Sequence, residues 1–220
     1  MNIRTSINIT NSIVALFLLL FPHLVPLPLY SYVIVCLLVI ILYQRRKKQS
    51  LRDLGLSRAT GGLNVIYIGL ISAVSLTAFM QLIYIPTIFY FFDVPEYTEY
   101  NFIQNHPVSL AITIAAAWIA GGFYEELVFR GFIHKATQEL FSNSTPSFWI
   151  AGIITSILFG MYHWQQGIYG VVSATIGGLF WTYILKRSKG NLWYPIVSHA
   201  IYDTIALTLI YNGIFGRIWQ

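Results

Sequence analysis

Residues 63–90 read LNVIYIGLISAVSLTAFMQLIYIPTIFY, with no Asp, Glu, Lys, Arg or His among them. A hydrocarbon core of about 30 Å is crossed by about 20 mostly apolar residues in one helix, so this stretch is long enough to span a bilayer. It is not isolated. Similar apolar stretches recur, with short polar breaks, at about 12–25, 29–43, 107–125, 148–164, 168–185 and 192–212. Across all 220 residues, 56% are hydrophobic and 10% charged, more apolar surface than a soluble core of this size could bury. The expected fold is therefore all-α, a polytopic membrane helical bundle of about seven transmembrane helices forming a single membrane domain. Within it, residues 1–106 carry the N-terminal spans and a polar basic linker at 44–62, and residues 107–212 form the helical core that holds the chemistry.

The net charge of +5 does not point to nucleic acid, because the basic residues are expected at helix ends: Arg45, Arg46, Lys47, Lys48, Arg52 and Arg58 in the linker, then Arg130 and Lys135, then Lys186, Arg187 and Lys189. Short loops rich in Lys and Arg stay on the cytoplasmic side. The segment 93–106 carries Asp93, Glu96 and Glu99 with no Lys or Arg, and is expected to face outward. Seven spans then put the N-terminus in the cytoplasm, as in a bacterial plasma membrane protein. Arg4 and the apolar run after it lack a small-residue cleavage site, so they read as a retained first span rather than a signal peptide. The single cysteine, Cys36, rules out an internal disulfide and reads as a packed or lipid-facing thiol.

Residues 122–140 do not read as a simple continuation of the span before them, since they hold Glu125, Glu126, Arg130, His134, Lys135, Gln138 and Glu139. At about 100° per residue, Glu126, Arg130, His134, Thr137 and Gln138 make one polar stripe, with Glu126 one turn from Arg130. Glu125 falls on the opposite arc, among Phe129, Phe132, Ala136 and Leu140. His134, His106 and His23 have no partner at telling spacing and read as loop or interface residues.

Ionisable groups at membrane depth are costly and mark function by default. The candidates are Glu125, Glu126, His163, His199 and Asp203. Phe159 precedes His163 by one turn, and Gly152 and Ser156 on the same face allow close approach of a neighbouring helix, as Gly177 and Gly178 do elsewhere. His199 and Asp203 project from one face of the last span. If 122–140 and 148–164 form a helical hairpin, Glu125 and His163 each lie about 22 Å from its tip and can meet. His199 lies only about 10 Å along its own helix from Trp193, so it joins them only if the hairpin tip projects into the cytoplasm.

The three segments Glu125-Glu126-Leu-Val-Phe-Arg130, Phe159-Gly-Met-Tyr-His163 and His199-Ala-Ile-Tyr-Asp203 resemble, in order and spacing, the EExxxR, FxxxH and HxxxN/D motifs of the CPBP family. That family comprises the type II CAAX prenyl proteases and the bacteriocin-processing or immunity (Abi-like) proteins. The resemblance covers about 107–212. It implies an intramembrane endopeptidase in which Glu125 activates water together with His163, while His199 and residue 203 stabilise the oxyanion. Glu126 and Arg130 would support the site, as would Phe159. A carboxyl placed to act first as a base and then as an acid suits that chemistry, and an oxyanion needs fixed donors in a dry site.

At position 203 an Asn could donate to an oxyanion, whereas an ionised Asp only accepts. Asp203 therefore acts protonated, orients His199, or binds metal. His163, His199 and Asp203 would make a zinc set with one position left for water, although HExxH is missing, and metal-independent glutamate chemistry is the other reading. The expected substrate is a peptide or lipidated protein at the bilayer, either a prenylated CaaX protein or a leader peptide. A different class also fits the family, a non-catalytic immunity or scaffold protein that binds a bacteriocin or an envelope enzyme. A proton-relay transporter fits less well, because the paired repeats of many transporters are missing.

Overall fold

The computed structural model describes residues 3–28, 31–56, 62–92, 100–141 and 144–215. The acidic positions Asp93, Glu96 and Glu99, and Arg58 of the linker, lie outside the described residues. Within them the chain forms seven helices and no strand: α1 Ile3–Leu24, α2 Ser31–Arg46, α3 Gly62–Phe91, α4 Pro107–Leu140, α5 Thr145–Tyr162, α6 Gly167–Arg187 and α7 Trp193–Tyr211. Four segments, Gly62–Phe91, Pro107–Leu140, Thr145–Tyr162 and Trp164–Arg187, are long and apolar enough to cross a membrane. With this many apolar helices, the chain is an integral membrane protein.

The expected break near residue 125 is absent. α4 runs unbroken for 34 residues, because its polar side chains turn inward to partners on other helices. It relaxes into wider π-type turns at Trp118–Glu125 and Leu127–Ile133. α3 does the same at Met80–Tyr84, just before Pro86. A proline ring clashes with the carbonyl four residues back, and a π turn there lets the helix continue.

Small residues set the helix seams, since lipid gives helices no hydrophobic reason to associate. A Cβ on Gly152 would lie 2.5 Å from Thr182 Cγ2, one on Gly178 2.9 Å from Ser156 Cβ, and one on Gly160 would overlap Thr175. These contacts, repeating about every turn, lock α5 against α6. Gly69 does the same for α3 against Val197 of α7, where Ser72 Oγ also donates to Ser198 Oγ at 2.9 Å. Gly177 differs: its neighbour is the Trp181 ring of its own helix.

The hairpin of α4 and α5 extends past the start of α7. Gly131 abuts Leu192 and the Leu54 carbonyl, so nine residues of α4 lie beyond that level, about 14 Å at the helical rise. The linker, with its short 3₁₀ turn Leu51–Leu54, packs beside the projecting tip: Lys135 Nζ donates to the Asp53 carbonyl at 3.0 Å, and Leu192 N to the Gly55 carbonyl at 3.0 Å. The offset that the depth argument demanded is thus met. His134 is a correction. It is buried, and its Nε2 donates to the Phe148 carbonyl at 3.1 Å, clasping the two arms of the hairpin. Cys36 is fully buried.

Candidate active site

Three helices deliver the candidate residues to one cavity of about 730 Å³, whose walls include Glu125, His163, His199 and Asp203. His163 caps the C-terminus of α5, where the backbone leaves helical geometry at φ −99°, ψ 21°. Its Nδ1 donates to the Phe159 carbonyl at 2.8 Å. With the proton on Nδ1, the Nε2 lone pair faces Glu125 Oε1 at 3.9 Å. That gap is too long for a direct hydrogen bond and suits one water touching both groups.

Glu125 lies at the junction of the two π-type stretches of α4 and faces the cavity and His163. Glu126 faces inward as well. It is fully buried and its Oε1 meets Arg130 Nη1 at 3.2 Å, the partner expected one turn on. The same oxygen accepts from His199 Nδ1 at 2.9 Å, a partner that sequence spacing could not show. Each of the adjacent glutamates therefore addresses a different histidine.

His199 is fixed on every side. Trp181 stacks on its ring at 3.7 Å and 19°, and Trp181 is itself held by a 3.3 Å hydrogen bond from Nε1 to Ser198 Oγ. Nδ1 is committed to Glu126, so Nε2 is the atom that faces the cavity, with Asp203 Oδ2 at 3.6 Å. Phe159 sits at the centre of this arrangement. The Arg130 guanidinium lies 4.3 Å from its ring centroid, and the His163 and His199 rings meet it edge-on at 4.7 and 6.0 Å. An aromatic face beside a desolvated guanidinium is favourable, which gives the Phe at that spacing a physical reason.

Gly121 was missed in the sequence. A Cβ on Gly121 would lie 2.5 Å from Asp203 Oδ2, so only the bare backbone of α4 leaves room for that carboxylate. A pair of glycines preceding the two glutamates was the available signal. His23 is also placed differently from expectation, since it lines the cavity with its ring 4.6 Å from that of Tyr162.

Among the described residues, no group of three or more His, Cys, Asp or Glu is arranged to hold a metal ion. Nδ1 of His163 and Nδ1 of His199 are each hydrogen-bonded within the protein, which leaves both Nε2 atoms directed toward the cavity.

Residues 107–205 match a family described as Rce1-like, type II CAAX prenyl endopeptidase Rce1-like. A Bacillus subtilis protein named "Putative membrane peptidase YdiL" is 26% identical over 182 residues, covering 80% of this chain and 68% of that protein. An uncharacterised protein of Mycoplasma capricolum is 33% identical over 81 residues, covering 36% of this chain and 24% of that protein, so the chain spans about a quarter of that relative. No solved structure matches.

Proposed function

We propose that this chain, which belongs to the CPBP family, is an intramembrane endopeptidase that hydrolyses a peptide bond of a membrane-associated substrate with water activated between Glu125 and His163. The observation that carries the reading is the convergence of Glu125, His163, His199 and Asp203, from three helices, on one cavity. Both Glu125 Oε1 and His163 Nε2 are acceptors, so a water between them donates one hydrogen to each and turns its oxygen lone pair to the scissile carbonyl. Attack forms the C–O bond as Glu125 takes a proton. The same carboxyl then returns that proton to the leaving nitrogen as the C–N bond breaks.

His199, carrying a proton on both ring nitrogens between the Glu126 and Asp203 carboxylates, gives Nδ1–H to Glu126 and stabilises the tetrahedral oxyanion by donating from Nε2, its ring stacked on Trp181. Such preorganised donors contribute most in a dry site. Asp203 beside Nε2 keeps that proton directed into the cavity.

The test is cleavage of a peptide library, including a prenylated CaaX peptide and leader peptides, by purified protein in detergent. Wild type is compared with Glu125→Gln and His163→Ala, each with and without chelator. Cleavage lost in both variants and retained with chelator supports the glutamate-type reading. Loss with chelator and recovery with zinc replaces it by a metallopeptidase. A Glu125→Gln variant with full activity overturns the mechanism, and a wild type that cleaves nothing while both variants keep the cellular phenotype points instead to the binding or immunity role.

A further inference from the structure

The cavity has a closed end and an open end, and the two differ in charge. Below the site, towards the linker, the space is filled by Leu127, Phe129, Leu185, Leu192 and Ile196, all buried, with the Glu126–Arg130 pair among them. Beyond this plug lie the linker basics Arg45, Arg46, Lys48 and Arg52, and the end of α6 with Lys186 and Arg187. The hydrogen bonds of Lys135 and Leu192 to the linker place all of these at one end of the bundle.

In the opposite direction the cavity walls run out through His23 at the end of α1, Phe89 near the end of α3, Gln165 and Tyr169 where α5 turns into α6, and Ile210 near the end of α7. Tyr84 Oη donates to the Tyr169 carbonyl at 2.9 Å, tying α3 to α6 at this end. Thr113, in the first turns of α4, also borders the cavity there, and the segment before α4 carries Asp93, Glu96 and Glu99 with no Lys or Arg.

Basic helix ends stay cytoplasmic. We infer that the site is sealed towards the cytoplasm and open to the outer face of the membrane, so that its substrate is a polypeptide segment presented from outside: a translocated peptide, or the outer end of a membrane-anchored chain. A lipidated C-terminus made and held at the cytoplasmic surface would meet the plugged end. This assignment rests on the peptidase reading for the word substrate, but the sidedness of the cavity does not.

Two measurements separate these. Single cysteines are introduced by Gln165→Cys at the mouth and Arg52→Cys in the linker, and intact expressing bacteria are treated with a membrane-impermeant maleimide. Native Cys36 is 0% exposed and leaves the background quiet. Labelling of the first without permeabilisation, and of the second only after it, is expected; the reverse pattern overturns the inference. Right-side-out and inverted vesicles are then given an impermeant peptide library. Cleavage by right-side-out vesicles alone is expected, and cleavage by inverted vesicles alone overturns outer-face entry. If detergent-solubilised protein cleaves nothing, the peptidase reading fails while the labelling still decides which end is open.

Discussion

Gly121→Ala tests how closely the carboxylate of Asp203 must be placed. The new Cβ would stand 2.5 Å from Asp203 Oδ2 and 3.8 Å from His199 Nε2, so one atom is in conflict and it belongs to the end of a side chain. To reach ordinary van der Waals contact, Asp203 must retreat by about 1 Å, away from α4 and out of its place beside His199. A misplacement of about 1 Å in a catalytic constellation costs on the order of 100-fold in rate, or about 2.7 kcal/mol of barrier. Gly122→Ala is the control, because its Cβ would meet Ala200 Cβ at 2.7 Å and α7 backbone at 3.1 and 3.2 Å, none of which can swing aside. Overpacking of that kind costs about 1–3 kcal/mol of stability. The assay pairs kcat on a cleaved peptide with thermal unfolding in detergent. Gly121→Ala is expected to lose about 100-fold in kcat with little change in Tm, and Gly122→Ala to lower Tm. Wild-type kcat in Gly121→Ala, or a Tm loss equal to that of Gly122→Ala, refutes the reasoning.

Glu125→Gln and His163→Ala are each expected to lower kcat by about 10²- to 10⁴-fold, the range for general acid–base groups, at normal membrane abundance on an immunoblot. Glu126→Gln leaves the Arg130 guanidinium buried without its counter-charge, and breaking such a pair costs about 3–5 kcal/mol; an unchanged unfolding midpoint in detergent would sink that account of the buried network. The linker should respond to acid. The Ser50 N–H and hydroxyl, which donate to Asp53 Oδ2 at 2.7 and 3.1 Å, hold the Asp53 carboxyl below the usual carboxylate range. A carboxyl lowered by folding contributes stability above its unfolded value of about 3.9, and that contribution is lost as pH falls through the folded value. Limited proteolysis of the linker should accordingly rise on acidification, and Ser50→Ala should raise cleavage already at neutral pH.

The apolar runs determined most of the architecture without help. Residues 63–90 have no other stable use than a long helix in lipid, and the spacing of Gly152, Ser156 and Gly178 announced close helix contacts before any partner was known. The spacing of Phe159 from His163, and of His199 from Asp203, likewise depends on one turn of one helix, which is why those pairs were legible. Glu126 beside Arg130 belongs to the same class. The π-type turns of α4 at Trp118–Glu125 and Leu127–Ile133 were not legible, because periodicity assumes 100° per residue. The bond from His199 to Glu126, the stack of Trp181 on His199 and the space that Gly121 leaves for Asp203 each join different helices. No local pattern encodes them, since they depend on how α4, α6 and α7 pack. Sequence alone assigned the kind of helix and the chemistry available along it; tertiary packing decided which histidine each glutamate serves, and which end of the bundle is plugged, because both follow from distances between segments far apart in the chain.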